Sequence, residues 1–154
     1  MKKRCRFRSM PLPVVALATI LLLAGCGPEA PSGPELSAPE ALERAQRGEL
    51  IIVDVRTPGE WRRTGVGAGA LELNMIQSRG GEEFIEKLLE QVGGNMDTPI
   101  ALICRTGNRS GNVQRLLLEN GFTEVYNVRE GMAGSGAGPG WLERGLPVED
   151  CRSC

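Results

Sequence analysis

The stretch PIALICRTGNRSGNVQRLLLENG (99–121) reads as three pieces in order. Pro99 to Ile103 is an apolar strand that ends at Cys104. A short polar loop with one glycine follows. Val113, Leu116, Leu117 and Leu118 then give the apolar face of a helix closed by Asn120-Gly121. A strand apolar at every position is covered on both faces, which is the habit of parallel sheets. Working outward, Leu50 to Val55 is a second such run, broken by an acid at Asp54. Around these, Ser37 is the N-cap of a helix through Arg47, with Gly48 ending it. Pro58 to Arg63 opens a short helix, and Ala70 to Leu73 is a short strand. Phe84, Ile85, Leu88, Leu89 and Val92 have helical spacing opposite a solvated glutamate face, and Val125, Tyr126 and Val128 form the last strand. Strands alternating with helices predict an α/β fold, a doubly wound parallel sheet with helices on both faces. Ligands in such folds bind beyond the carboxyl ends of the strands, where Asp54 and Cys104 fall.

Composition narrows the chemistry. The chain has 154 residues, a formal net charge of −1 and no histidine. Cys-His and Ser-His catalysis and histidine-ligated zinc are therefore excluded within this chain. No metal or cofactor is expected. The basic residues Lys2, Lys3, Arg4, Arg6 and Arg8 all precede residue 25 with no acid among them, so the remainder is net acidic. That balance disfavours a nucleic-acid partner, which needs a basic face.

The N-terminus reads as a targeting segment. A basic run precedes 12 apolar residues, Val14 to Gly25, too few to span a bilayer and the right length for a secretory core. Leu23-Ala24-Gly25-Cys26 resembles the bacterial lipobox, which implies cleavage after residue 25, lipidation of Cys26 and export to the cell envelope on a lipid anchor. On the periplasmic side of a cell with an outer membrane, this would be the location. Residues 26–36, rich in proline and glycine, read as a linker, 37–149 as the folded domain and 150–154 as a tail.

Cys104-Arg105-Thr106-Gly107-Asn108-Arg109 is the candidate site. A cysteine at a strand end, followed by a glycine-bearing loop and a helix start, faces several backbone N–H groups and so favours a thiolate. Arg105 and Arg109 add positive charge suited to a sulfonate-like anion.

The chain resembles the single-domain rhodaneses, a sulfurtransferase family. The resemblance runs from about Ser37 to Glu149 on IIVDVRTPGEW (51–61), CRTGNRS (104–110) with the helix after it, and VREGMAGSGAGPGWLERGLPVE (128–149). It implies that Cys104 takes up sulfane sulfur as a persulfide and passes it to a thiol or cyanide-like acceptor. It also implies that Arg105, Thr106, Gly107, Asn108 and Arg109 cradle the persulfide through their amides. Asp54 and Arg56 match the family's strand-end Asp-x-Arg and read as an ion pair bracing the loop. Val66 stands where the family commonly has a histidine. Ser135 to Gly140 lengthens the path to Trp141 and reads as a mobile loop beside the site; Trp141 should pack a C-terminal helix, and Glu60 reads as a short-helix charge beside the core anchor Trp61.

Cys151 and Cys154 have redox-type CxxC spacing in a short tail. Three classes of function follow: a sulfurtransferase using a thiosulfate-like donor; a membrane-tethered persulfide carrier or redox sensor without turnover; and a phosphatase, disfavoured because the loop is Cys-x4-Arg rather than Cys-x5-Arg. A monomer is expected.

Overall fold

The computed structural model describes residues 33–154. The targeting segment, Cys26 and most of the expected linker lie outside them. Eleven elements follow in order: β1 (Glu35–Leu36), α1 (Ala38–Gln46), β2 (Ile51–Asp54), α2 (Pro58–Thr64), β3 (Val66–Gly67), β4 (Leu71–Glu72), α3 (Gly81–Gln91), β5 (Ile100–Ile103), α4 (Asn108–Glu119), β6 (Val125–Val128) and β7 (Val148–Glu149).

The central sheet has the order β1-β6-β5-β2-β4, parallel throughout. It is the doubly wound α/β sheet expected from the apolar strands. Side chains alternate across it. Ala101 and Ile103 of β5 face one core with Ile52, Ala41 of α1, Trp61 of α2 and Trp141. Ile100 and Leu102 face the other with Val53, Phe84 and Leu88 of α3, and Val113 and Leu117 of α4. All four β5 residues are fully buried, as a strand covered on both sides must be.

Three features depart from the sequence reading. The fold begins inside the stretch read as linker: β1 pairs with β6, and Pro34 O accepts Asn127 N at 3.0 Å and Gln114 Nε2 at 2.8 Å. Two paired residues are too short a signal to show against a proline-rich background. There is no C-terminal helix at Trp141. The residue lies in a turn, wholly buried, and its indole N–H donates to Pro147 O at 2.9 Å. Finally, Val66 and Gly67 form β3, which pairs antiparallel with β7 and so ties the end of the domain back to the α2 exit. Among the described residues, no helix is long and apolar enough to cross a membrane.

Candidate functional site

In the sheet's register Ile103 lies beside Asp54, and Asp54 beside Glu72. Three strands thus deliver their following residues to one rim.

At the end of β2, Asp54 and Arg56 form a closed unit. Arg56 Nη2 donates to Asp54 Oδ2 at 2.6 Å and Nε to both carboxylate oxygens at 2.9 and 3.0 Å. Nη1 donates to Thr64 Oγ1 (2.7 Å) and Nη2 also to Gly65 O (2.8 Å), at the end of α2. Both side chains are essentially inaccessible. A buried pair bonded in this way links the end of β2 to the end of α2.

At the end of β5 the loop from Cys104 is built differently. Its carbonyls are engaged: Cys104 O accepts Met132 N and Arg105 O accepts Ala133 N, each at 2.9 Å. Gly107 has φ +82°, and a Cβ there would stand 2.2 Å from Arg129 O, so only glycine lets the loop lie against the segment after β6. Gly107 is also the N-cap of α4, with no side chain to satisfy the helix's first amides. Consequently the N–H groups from Arg105 to Ser110 have no hydrogen-bond acceptor among the described residues. Successive unpaired amides at the start of a 12-residue helix make an anion-binding concavity.

Cys104 is the free cysteine of the described residues and is 1% exposed. Its sulfur lies 3.3 Å from Ser110 Oγ. That hydroxyl is 2.7 Å from Asn127 Oδ1, while Asn127 Nδ2 donates to Gly107 O at 3.1 Å. With the thiol protonated, Ser110 gives its one proton to Asn127. With a thiolate, the hydroxyl can turn its proton to the sulfur instead.

The two arginines separate. Arg109 Nη1 and Nη2 donate to the two oxygens of Glu60 at 2.8 and 2.5 Å, and Thr57 N and Oγ1 donate to Glu60 Oε2. The Arg109 guanidinium, with help from Thr57, outweighs desolvation and holds the Glu60 carboxyl down to about 2. Arg109 thus ties α4 to α2, and Glu60 is half of that clamp rather than a simple helix charge. Arg105 is exposed and has no ionic partner among the described residues. It lines a cleft of about 570 Å³ with Arg56, Thr57, Glu60, Arg63, Thr64, Met132, Ala133 and Leu142. Cys104 is not part of its wall.

Thr106 and Asn108 contribute backbone to the loop. Ser110 and Asn127 are additions the sequence reading did not assign. Asn127 had a signal, a polar residue at a buried position of an apolar strand; Glu60 lay too far from Arg109 in sequence to show its partner. Ser135 to Gly138 close a tight turn by reciprocal backbone bonds at 3.0 and 3.1 Å. Cys151 and Cys154 form a disulfide.

The pattern of the rhodanese-like domain matches residues 37–136. Among solved structures, the chain is similar to the polysulfide-sulfur transferase homodimer from Wolinella succinogenes: 29% identity, TM-score 0.58, 77% of this chain and 80% of that one. It is also similar to a protein from M. tuberculosis: 26% identity, TM-score 0.63, 79% of this chain and 100% of that one. A tRNA uridine(34) hydroxylase of Acinetobacter baumannii is 33% identical over 100 residues, 65% of this chain but 31% of that protein.

Proposed function

The chain belongs to the rhodanese-like domain family, a sulfurtransferase-type family, and from that premise we propose that it transfers sulfane sulfur through Cys104. A thiolate at Cys104 attacks the outer sulfur of a thiosulfate-like donor. The S–S bond of the donor breaks, sulfite leaves with the electron pair, and Cys104 keeps the sulfur as a persulfide. A thiol or cyanide-like acceptor then attacks that outer sulfur and restores the thiolate.

The observation that carries this reading is the run of unpaired amides from Arg105 to Ser110 that directly follows a buried cysteine at a strand end. Donors without an acceptor of their own are available to a terminal persulfide sulfur that extends beyond Cys104. The hydrogen bond between Ser110 and Cys104 supports negative charge on Cys104. Arg105 is the loop's own cation without an ionic partner among the described residues, and with Arg63 of the same cleft wall it can attract an anionic donor; Arg109 is a positioning residue because Glu60 occupies both ends of its fork. An Arg so occupied is also poorly placed to take a phosphate, which weighs against the phosphatase reading.

The resemblance of Leu23 to Cys26 to a lipobox supports export and tethering to the cell envelope through lipidated Cys26. The similar Wolinella protein is named for polysulfide, which makes polysulfide the comparison donor. The test is to add thiosulfate, then cyanide, and follow the mass of Cys104 peptides and thiocyanate formed. Gain of one sulfur on Cys104 with repeated turnover is expected. A single stoichiometric transfer would instead favour a carrier or sensor, and no gain of sulfur would refute the proposal.

A further inference from the structure

Away from the Cys104 loop, the described residues contain two further cysteines, joined as the Cys151–Cys154 disulfide. The tail that carries it is docked rather than loose. Arg152 N and Ser153 N each donate to the Glu72 carboxylate at 2.7 Å, and Ser153 Oγ donates to it as well. Cys151 is half-buried against the Trp61 and Trp141 core, whereas Cys154 is exposed.

Its position is the point of interest. Glu72 and Ile103 are two strands apart in register, which places their Cα atoms about 10 Å apart at the usual strand spacing. Cys154 Sγ lies 3.4 Å from Pro58 O, next to Thr57 of the cleft wall. The tail therefore sits on the same rim of the sheet as Cys104. A bridge across so short a loop constrains the unfolded chain little, so fold stability is a weak reason for it. In the disulfide neither sulfur has a proton. A hydrogen-bond acceptor lies close to each sulfur of the disulfide, Glu72 Oε2 at 3.4 Å from Cys151 and Pro58 O at 3.4 Å from Cys154.

We propose that the Cys151–Cys154 pair, as a dithiol, reduces the Cys104 persulfide and releases its sulfur as hydrogen sulfide. This rests on the persulfide reading of Cys104. The exposed Cys154 thiolate attacks the outer sulfur of the persulfide; that S–S bond breaks and Cys104 leaves as thiolate. Cys151 then attacks the inner sulfur of the new Cys154 persulfide. The Cys151–Cys154 bond forms, hydrosulfide leaves, and a proton from solvent completes hydrogen sulfide. The sulfane sulfur gains the two electrons that the dithiol loses. An external dithiol, entering at Cys154, resets the pair.

Cys104 packs toward α4 and Cys151 toward α2, on opposite faces, so the docked tail must leave Glu72 to react. From Glu149, fixed in β7, the five residues to Cys154 reach about 16 Å when extended.

The test starts from the full chain, reduced and freed of reductant without air, then given one equivalent of thiosulfate. Sulfide is measured, and peptide mapping assigns sulfur to individual cysteines, separating Cys104 from Cys5 and Cys26. The expected result is about one sulfide per chain, an unmodified Cys104 and an oxidised tail. The Cys151→Ser/Cys154→Ser variant should hold its sulfur on Cys104, with release at least tenfold slower; that loading also shows the variant is folded. The Cys151→Ser variant should stall with sulfur on Cys154. A wild type that keeps its sulfur on Cys104 while the tail stays reduced overturns the relay and leaves the persulfide reading intact. Failure of both the wild type and the double variant to load Cys104 overturns the persulfide reading and the relay with it.

Discussion

Two neighbouring strand ends treat their polar groups in opposite ways. After β2, all three nitrogens of the Arg56 guanidinium donate within the fold, to Asp54, Thr64 or Gly65. After β5, the amides from Arg105 to Ser110 are matched to nothing among the described residues. Both ends are held rigidly, one by its own ion pair and the other by Gly107 and Gly131 pressed against facing backbone. The difference teaches how a rim divides labour. Polar groups bonded to one another within the fold have little capacity left for a ligand and act as a brace. Unsaturated ones, kept in place by carbonyls bonded elsewhere, are a receptor for negative charge.

Substitutions at each end should therefore fail in different assays. Cys104→Ser should bring sulfur transfer to background while the melting temperature stays within a few degrees, because the change is nearly isosteric and keeps a hydrogen-bonding group beside Ser110. Measurable turnover in that variant would break the assignment of the nucleophile. Arg56→Met should show the converse, a loss of about 3–5 kcal/mol in denaturant unfolding, since Asp54 is left buried and uncompensated. If stability held but activity vanished, the brace would have to be counted as part of the receptor.

Arg105→Ala sharpens the receptor side. Loss of one charge-assisted contact to an anionic donor should cost about 1.5–3 kcal/mol, read as a tenfold to hundredfold rise in the donor KM with kcat little changed. Arg109→Ala should alter KM less than that, because its guanidinium is already bound by Glu60.

The smallest effect is expected from Glu60→Gln, at about 1 kcal/mol near neutral pH for a partly exposed pair. Its pH dependence is the useful readout. Glu60 is held at about 2 in the fold, against an ordinary glutamate value of 4.5. Its contribution is therefore fully present above the ordinary carboxylate range and is lost as pH falls through about 2. Acid unfolding of the wild type should steepen between pH 4.5 and 2, and Glu60→Gln should remove that component. Identical acid profiles would show that the clamp does not persist in solution.

Much of the site was legible because it is local. The strand ending at Cys104, the glycine of the loop and the helix after it are contiguous, and Asp54 and Arg56 are two residues apart. The unassigned members are distant: Asn127 is 17 residues from Ser110, and Glu60 is 49 from Arg109. The tail showed the same limit, since the CxxC spacing was visible while its anchor, Glu72, lies 80 residues away from Arg152.

The sequence by itself determined the layers and the place of Cys104. Apolar runs of strand length, separated by helices of 3.6-residue period, have few ways to bury themselves other than a parallel sheet covered on both faces. A cysteine directly after such a strand must fall at its carboxyl end. Only the tertiary structure decided which arginine stayed free, that β1 arises from a proline-rich stretch, and that the Cys151–Cys154 tail docks on the same rim. Those outcomes depend on which side chains meet across the folded rim. Pairing energies between residues many positions apart leave no periodic trace in the chain, because a charge or a hydrogen-bonding group reads the same whether its partner waits across the fold or not at all.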